Sequence, residues 1–193
     1  LNEGEMNLGE TTTAAFTIFD EMELDVSYLG RDFLKSCGHD QKWQGMNEVF
    51  DKLKSYNQKK LKDSGIETLV TSCAECFRTF ALDYELDEMK VMHTTEFITQ
   101  QGFDVKMAVE EDMTVTYHDP CRLGRQMNIY DEPRDLVKQV DGVNLVEMEH
   151  HGEDGLCCGV SSMMSCNENS RALRLQRFDE VKATGAEVML TSC

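Results

Sequence analysis

Proline is nearly missing from this sequence, with two in 193 residues, and there is one tryptophan. So few prolines argue against an extracellular disulfide scaffold, which is usually shorter and rich in turns. No stretch reaches the roughly 18 to 20 apolar residues of a membrane-spanning helix, and Leu1-Asn2-Glu3-Gly4-Glu5 lacks both the basic segment and the apolar core of a secretory signal. Basic side chains are also scarce: 19 Lys and Arg stand against 36 Asp and Glu, a net charge of −17. Such a surface repels phosphate backbones and anionic headgroups, which removes nucleic acid from the expected partners. The acidity reads either as a solvated surface or as a docking face for a basic electron-transfer partner. With 40% hydrophobic and 28% charged residues the composition is that of a soluble globular protein. The expected location is the cytoplasm, with attachment to the inner face of the membrane through a membrane-bound partner left open.

What the chain has instead is eight cysteines. Reducing compartments disfavour structural disulfides, so cysteines in an intracellular chain point to metal or redox chemistry. Cys121, the pair Cys157-Cys158 followed by Gly159, and Cys193 are separated by 35 and 34 residues. A second set, Ser36-Cys37-Gly38 and Cys73-Ala74-Glu75-Cys76, has the same plan. Gly65-Ile66-Glu67-Thr68-Leu69-Val70-Thr71-Ser72-Cys73 and Gly185-Ala186-Glu187-Val188-Met189-Leu190-Thr191-Ser192-Cys193 match at an offset of 120, which makes the chain an internal repeat.

Periodicity places helices at residues 14–22, 46–56, 77–86, 95–101, 131–140 and 167–184, the last with Ala172, Leu175, Phe178 and Val181 along one side. Strands are expected at Leu24–Leu29, Ile66–Ser72, Lys90–Met92, Met113–Tyr117, Val143–Met148 and the C-terminal segment, with a charged turn at Glu110–Asp112. Alternating helices and strands in two copies imply an α/β fold of two pseudo-symmetric repeats with mainly parallel sheets. The divisions are residues 1–90 for the first repeat, 91–112 for a connecting segment and 113–193 for the second. Sites in parallel sheets gather beyond the C-terminal strand ends, where Cys73, Cys121 and Cys193 fall. The offset also places a first-copy counterpart of Cys121 at or immediately before Leu1, and a counterpart of Cys76 three residues past Cys193. The chain is therefore expected to be an excerpt.

Thiolates converging from separate loops suit a polynuclear iron-sulfur centre, since iron and sulfide are soft partners for sulfur. Adjacent cysteines cannot easily chelate one ion, so Cys157 and Cys158 are expected on different irons, with Gly159 giving the backbone clearance. The motifs His118-Asp119-Pro120-Cys121-Arg122-Leu123-Gly124-Arg125, Tyr130-Asp131-Glu132-Pro133-Arg134 and Cys157-Cys158-Gly159 resemble the cysteine-rich CCG domain, which is duplicated in catalytic subunits of heterodisulfide reductases and in related oxidoreductases. The resemblance covers essentially the whole chain. It implies a non-cubane [4Fe-4S] cluster held by five cysteines, of which Cys121, Cys157, Cys158 and Cys193 are present here, and reductive cleavage or reversible formation of a sulfur–sulfur bond. The implied partners are a disulfide or thiol substrate and ferredoxin-like or flavin/cytochrome electron-transfer subunits. A different class of reading is an electron-transfer subunit linking a flavin dehydrogenase of the lactate, glycolate or glycerol-phosphate type to quinone or another carrier. A third is a zinc-stabilised interaction module.

The first repeat departs from the pattern because Ser36 stands where the pair's first cysteine belongs. Cys37, Cys73 and Cys76 remain, enough with one more thiolate for an ordinary [4Fe-4S] cluster or zinc; a serine-modified non-cubane cluster and an empty site stay open. His118 is expected as a hydrogen-bond donor beside the cysteines or as a catalytic proton donor to a leaving thiolate. His150 and His151 read as an exposed loop and as alternative proton donors, and His39 and His93 carry no signal of their own. Met163 and Met164 read as core or pocket wall, Cys166 as a buried or capping residue, and Arg122 and Arg125 as structural cations rather than ligands of a substrate carboxylate.

Overall fold

In the computed structural model, residues 2–29, 32–102, 106–160 and 167–193 are described, with backbone alone for 2–10. Met163, Met164 and Cys166 lie outside them. The first unit begins with α1 (Asn2–Glu21), followed by a short α2 (His39–Trp43) and the long α3 (Asn47–Ser64), which Gly65 ends in a left-handed conformation at φ 70. Strand β1 (Thr68–Thr71) leads through Cys73 into α4 (Ala74–Leu82), then β2 (Lys90–His93) and α5 (Thr94–Gln101). The second unit comprises β3 (Met107–His118), α6 (Gly124–Met127), α7 (Asp131–Lys138), β4 (Val140–Val146), a 3-10 turn at Gly152–Asp154, α8 (Glu168–Thr184) and β5 (Val188–Thr191).

All the strand pairs are parallel, as the alternation of helix and strand implies. Strands β1 and β2 form one sheet, and β4-β3-β5 the other, with β3 central. Because β2 belongs to the first sheet, that unit runs past the division drawn at residue 90. Leu61, Leu69, Phe50, Phe80, Tyr84 and Leu86 pack as one core, while Ala74, Phe77, Leu123 and Ile129 join helix α4 to the loop after β3. This second cluster binds the repeats together through apolar burial.

Several expectations change. Residues 24–29 do not form a strand: nothing pairs with them among the described residues, and a strand without a ladder partner has no sheet to belong to. Helix α1 begins well before residue 14, where the sequence places its start. The acidic run Glu110–Asp112 is part of β3, not a turn. It is accommodated by a register irregularity, the pairing stepping from Ala108↔Asp141 to Met113↔Val143 while the three acidic side chains stay exposed. Helix α8 also inverts its expected faces: Leu175 and Phe178 are exposed at 51% and 43%, whereas Arg177 is 3% exposed. Its guanidinium is what the site below requires.

Candidate metal centres

Strand β1 ends two residues before Cys73, which caps α4 by accepting a 3.5 Å hydrogen bond from the Cys76 backbone N–H. Cys76 turns back one helical turn later, and its Sγ lies 3.0 Å from Cys37 Sγ. The three thiols of the first repeat thus meet, although 35 residues of chain separate Cys37 from Cys73. Asn57, fully buried in α3, holds the Cys37 loop by accepting from the Lys35 N–H at 2.8 Å and donating to the Ser36 carbonyl at 2.9 Å and the Tyr84 hydroxyl at 3.1 Å. Tyr84 in turn donates to the Cys37 carbonyl at 3.0 Å.

Three thiols this close cannot ionise alike. A hydrogen bond from the Cys76 side chain, supported by the backbone N–H groups of Cys76 and Glu75, outweighs burial and holds Cys73 near 6. The same thiol and the His39 N–H lower Cys37, whereas Cys76, the donor to both, is pushed up. A soft cation would take the place of the Cys76 proton and bind the set as thiolates.

In the second repeat β3 delivers His118 and, past Asp119-Pro120, Cys121; β5 delivers Cys193; the loop after the 3-10 turn delivers Cys157 and Cys158. The vicinal pair curls around its own amides. Gly159 N–H donates to Cys157 Sγ and Val160 N–H to Cys158 Sγ, each at 3.4 Å. Gly159 has φ 76, and a Cβ there would meet the Ser170 carbonyl oxygen at 2.2 Å and the Arg174 nitrogen at 3.0 Å, so only glycine fits against the first turn of α8. The first repeat has the same turn: Gly38 N–H donates to Ser36 Oγ at 3.2 Å and Gly38 has φ 80. Ser36 accordingly occupies the position of Cys157, with a hard oxygen in place of a soft sulfur.

Burial raises Cys121, with the Cys157 and Cys158 charges adding to it. Cys193 is pushed up to about 12 by burial first, and then by the negative charges of Glu75, Cys73, Cys158 and Cys121. Two of those, Glu75 and Cys73, belong to the first repeat, so charge there is felt at the second thiol set. Unmetallated, Cys121 and Cys193 are held toward their protonated forms, and a polynuclear cation would invert that preference. The donor set therefore fits an iron-sulfur centre. The first set, with three soft sulfurs, fits zinc or a cubane cluster once a fourth ligand is supplied.

The surroundings are held by buried ions. Arg134 makes a bidentate pair with Asp119 at 2.7 and 2.9 Å and another with Glu147 at 2.7 and 3.0 Å. Asp119 also accepts from the Gly152 N–H at 2.8 Å, which ties the strand end to the cysteine-pair loop. Arg177 Nε donates to His118 Nδ1 at 2.9 Å, and Arg177 Nη1 reaches the His150 carbonyl and Glu180. Guanidinium does not deprotonate, so Nδ1 of His118 accepts and its proton resides on Nε2. Burial, reinforced by the Arg177 charge, lowers His118 to about 4. Such a ring donates a hydrogen bond but is a poor acid, because giving up Nε2–H would leave an imidazolate. His150 Nδ1 contacts Glu180 at 2.6 Å, and His151 Nδ1 donates to the Met148 carbonyl at 2.8 Å. Arg125 donates to the Gly155 carbonyl at 2.8 Å, and the Arg122 guanidinium lies 3.8 Å above the Trp43 ring, joining the repeats.

Sequence reasoning missed Asn57, Tyr84, Arg134 and Arg177. Each is a polar residue within a polar stretch of sequence, where burial leaves no periodic trace. The one legible signal was position: Arg134 closes the Tyr130-Asp131-Glu132-Pro133-Arg134 motif.

The family profile of the CCG cysteine-rich domain matches residues 9–81 and 115–193. Among curated proteins, one of the subunits of the dihydromethanophenazine:CoB–CoM heterodisulfide reductase of Methanosarcina acetivorans is 29% identical over 192 residues, covering 93% of this chain and 47% of the relative. A subunit of the CoM/CoB fumarate reductase of Methanothermobacter marburgensis is 30% identical over 161 residues, covering 81% and 32%. The EtfAB:quinone oxidoreductase of Syntrophomonas wolfei is 26% identical over 195 residues, covering 93% and 27%. The chain thus spans about half or less of the length of these relatives. No solved structure matches it.

Proposed function

The chain belongs to the CCG cysteine-rich domain family, and from that membership we propose that it holds a non-cubane [4Fe-4S] cluster at Cys121, Cys157, Cys158 and Cys193, with one further ligand, and serves reductive cleavage or reversible formation of a sulfur–sulfur bond. The observation that supports this reading is a glycine turn whose amides point at the sulfurs of Cys157 and Cys158, with Cys121 and Cys193, past the ends of β3 and β5, close enough for thiol charges to interact. When bound, such a cluster supplies electrons one at a time. A disulfide takes up two electrons and two protons and yields two thiols.

The chain's own residues contribute position and charge. Gly159 N–H and Val160 N–H donate to Cys157 and Cys158, an arrangement that stabilises negative charge on sulfur and tunes the potential of whatever the sulfurs hold. The Arg134–Asp119–Gly152 bridge fixes the distance between the Cys121 strand end and the cysteine pair. His118 stays neutral and offers Nε2–H as a hydrogen-bond donor. Cys37, Cys73 and Cys76 hold the second group, a [4Fe-4S] cluster or zinc. Partners of this function are ferredoxin-like or flavin/cytochrome electron-transfer subunits, for which the net charge of −17 supplies an attractive surface toward basic carriers. Among the described residues no helix is long and apolar enough to cross a membrane.

A specific observation also favours the electron-transfer reading: Cys193 lies close enough to Cys73 for their charges to interact, so a cluster in the first set would stand within relay range of the second. The similarity to an EtfAB:quinone oxidoreductase is of that kind. One experiment separates the two readings. On the full-length protein, purified anaerobically, iron, sulfide and zinc are counted, and the paramagnetic resonance of the reduced or oxidised cluster is followed on addition of a heterodisulfide, a trisulfide or a thiol. A new signal with the sulfur compound is expected. Response to a flavin donor and a quinone, with none to any sulfur compound, would establish the relay instead.

A further inference from the structure

Three side chains that belong to neither thiol set converge where α2 packs against α4. His39 and Asp40 lie in α2, and Glu75 stands in the first turn of α4. One nitrogen or oxygen atom from each lies within 4.8 Å of the other two. His39 Nε2 is 3.3 Å from Glu75 Oε1. Ligand atoms of a transition-metal ion held at about 2.0–2.2 Å stand roughly 3 to 3.5 Å apart, so this pair already has the separation that such an ion requires. Asp40 completes the set by a small turn of its half-buried side chain.

The imidazole is what sets this cluster apart from a chance meeting of carboxylates. His39 is 2% exposed, and its Nε2 faces Glu75 but makes no hydrogen bond to it or to any other described residue. Leaving a buried ring nitrogen in that state costs free energy, which a bound cation would recover. Nδ1 lies 3.2 Å from Thr79 Oγ1, and Thr79 is fully buried. An imidazole that gives one nitrogen to a metal donates its other N–H to a fixed acceptor, and the Thr79 hydroxyl is placed to be that acceptor. The Glu75 side chain is 36% exposed, which leaves an entry path from solvent. Of the neighbouring cations, Lys42 and Arg78 both pair with Asp83, and Arg122 lies over the Trp43 ring, from where its charge reaches Glu75. Two carboxylates against that guanidinium leave the cluster negative. One imidazole nitrogen with two carboxylate oxygens suits a divalent ion of intermediate hardness rather than a soft one, which the thiols would take.

We propose that His39 Nε2, Asp40 and Glu75 bind a divalent first-row transition-metal ion of the manganese, ferrous or zinc type, at a site whose donor atoms are separate from both thiol sets. The ion ties α2, which follows the Cys37-Gly38 turn, to the helix that carries Cys76. It also offsets the Glu75 charge, which acts on Cys37, Cys73 and Cys193, and so favours the reduced state of whatever those thiols hold. Its binding does not depend on which groups the thiols hold, so the site stands or falls apart from the redox reading.

Manganese(II) is the probe, because it prefers oxygen and imidazole to thiolate. It is titrated into the full-length protein with the thiol sets filled as isolated, and the paramagnetic resonance of the ion left free gives the affinity. One ion per chain is expected to bind more tightly than the acidic surface at large. Thr79→Val, which removes the acceptor of the other ring nitrogen, is expected to weaken it by about tenfold, and Glu75→Gln and Asp40→Asn, which remove ligands, by more. Glu110→Gln, in the exposed acidic run of β3, should leave it unchanged. Equal affinities in all of these proteins would place the manganese on the acidic surface and overturn the proposal. Spin-echo modulation of the bound ion gives a reading that needs no variant to fold. Coupling to an imidazole nitrogen is expected in the unaltered protein, and its absence would refute the assignment.

Discussion

Replacing Gly159 by alanine tests whether the cysteine-pair turn is fixed by its approach to α8, and Gly185→Ala supplies the control. The two glycines have nearly the same backbone, φ 76 and φ 72. A Cβ at Gly185 has no heavy atom within 4 Å, so Gly185→Ala costs only the left-handed strain of an L-residue, about 1–2 kcal/mol. At Gly159 the same Cβ would sit 2.2 Å from the Ser170 carbonyl oxygen and 3.0 Å from the Arg174 nitrogen. Both obstacles are backbone atoms of one helix, so relief requires the turn to retreat from α8, which adds an overpacking cost of about 1–3 kcal/mol. The turn carries Cys157 and Cys158 with it. For a chain of this size each kcal/mol lowers Tm by about 2–4 °C, so Gly159→Ala is expected to lower Tm by roughly twice as much as Gly185→Ala. It should also lose iron and sulfide, which Gly185→Ala should not. Thermal unfolding by circular dichroism and metal analysis, both under anaerobic conditions, read the two effects. A Gly159→Ala protein with the control's Tm and a full complement of iron would refute the close-packing argument.

Two further perturbations probe other parts of the frame. Asn57→Leu leaves the Lys35 N–H, the Ser36 carbonyl and the Tyr84 hydroxyl without this partner. A loss of about 2–4 kcal/mol and a fall in metal at the first repeat with the second unaffected are expected; denaturant titration and metal counting would show unchanged values if the Cys37 loop were held by other means. His93 is 1% exposed and lowered to about 4 by burial, while it donates from Nε2 to the Ser72 carbonyl and accepts at Nδ1 from the Thr95 N–H. The unfolded chain binds this proton below about 6.5 and the folded chain does not, so stability is full above that pH and falls toward pH 4 at up to about 1.4 kcal/mol per pH unit. His93→Gln should flatten the slope by about half, because the similarly lowered His118 remains; superimposable urea midpoints for the two proteins between pH 7 and 4.5 would contradict the assignment.

Much of the fold is visible in the amino acids because local chemistry and global packing agree there. The 120-residue offset, the left-handed glycines at 65 and 185 and the apolar strand sequences before Cys73 and Cys193 place β1 and β5 correctly. Reading failed where a residue's state depends on a neighbour distant in sequence. Residues 24–29 alternate as a strand does, but a strand exists only with a ladder partner. Glu110–Asp112 have the composition of a turn, yet β4 on one side carries them as an irregular stretch of β3. In α8 the apolar periodicity pointed to the wrong face, because Arg177 is drawn inward by His118 Nδ1, the His150 carbonyl and Glu180.

The sequence by itself determined the number and spacing of the cysteines, the duplicated plan, and the serine that breaks it at position 36, since these are covalent facts that folding cannot alter. Tertiary structure decided what the cysteines are to one another. Only the folded chain brings Cys73 of the first repeat within reach of the charge on Cys193 of the second, sets Cys76 against Cys37, and turns His118 into a neutral donor through Arg177. The reason is range: spacing is written along the chain, whereas charge, burial and hydrogen bonding act through space and are set by whichever residues the fold makes neighbours.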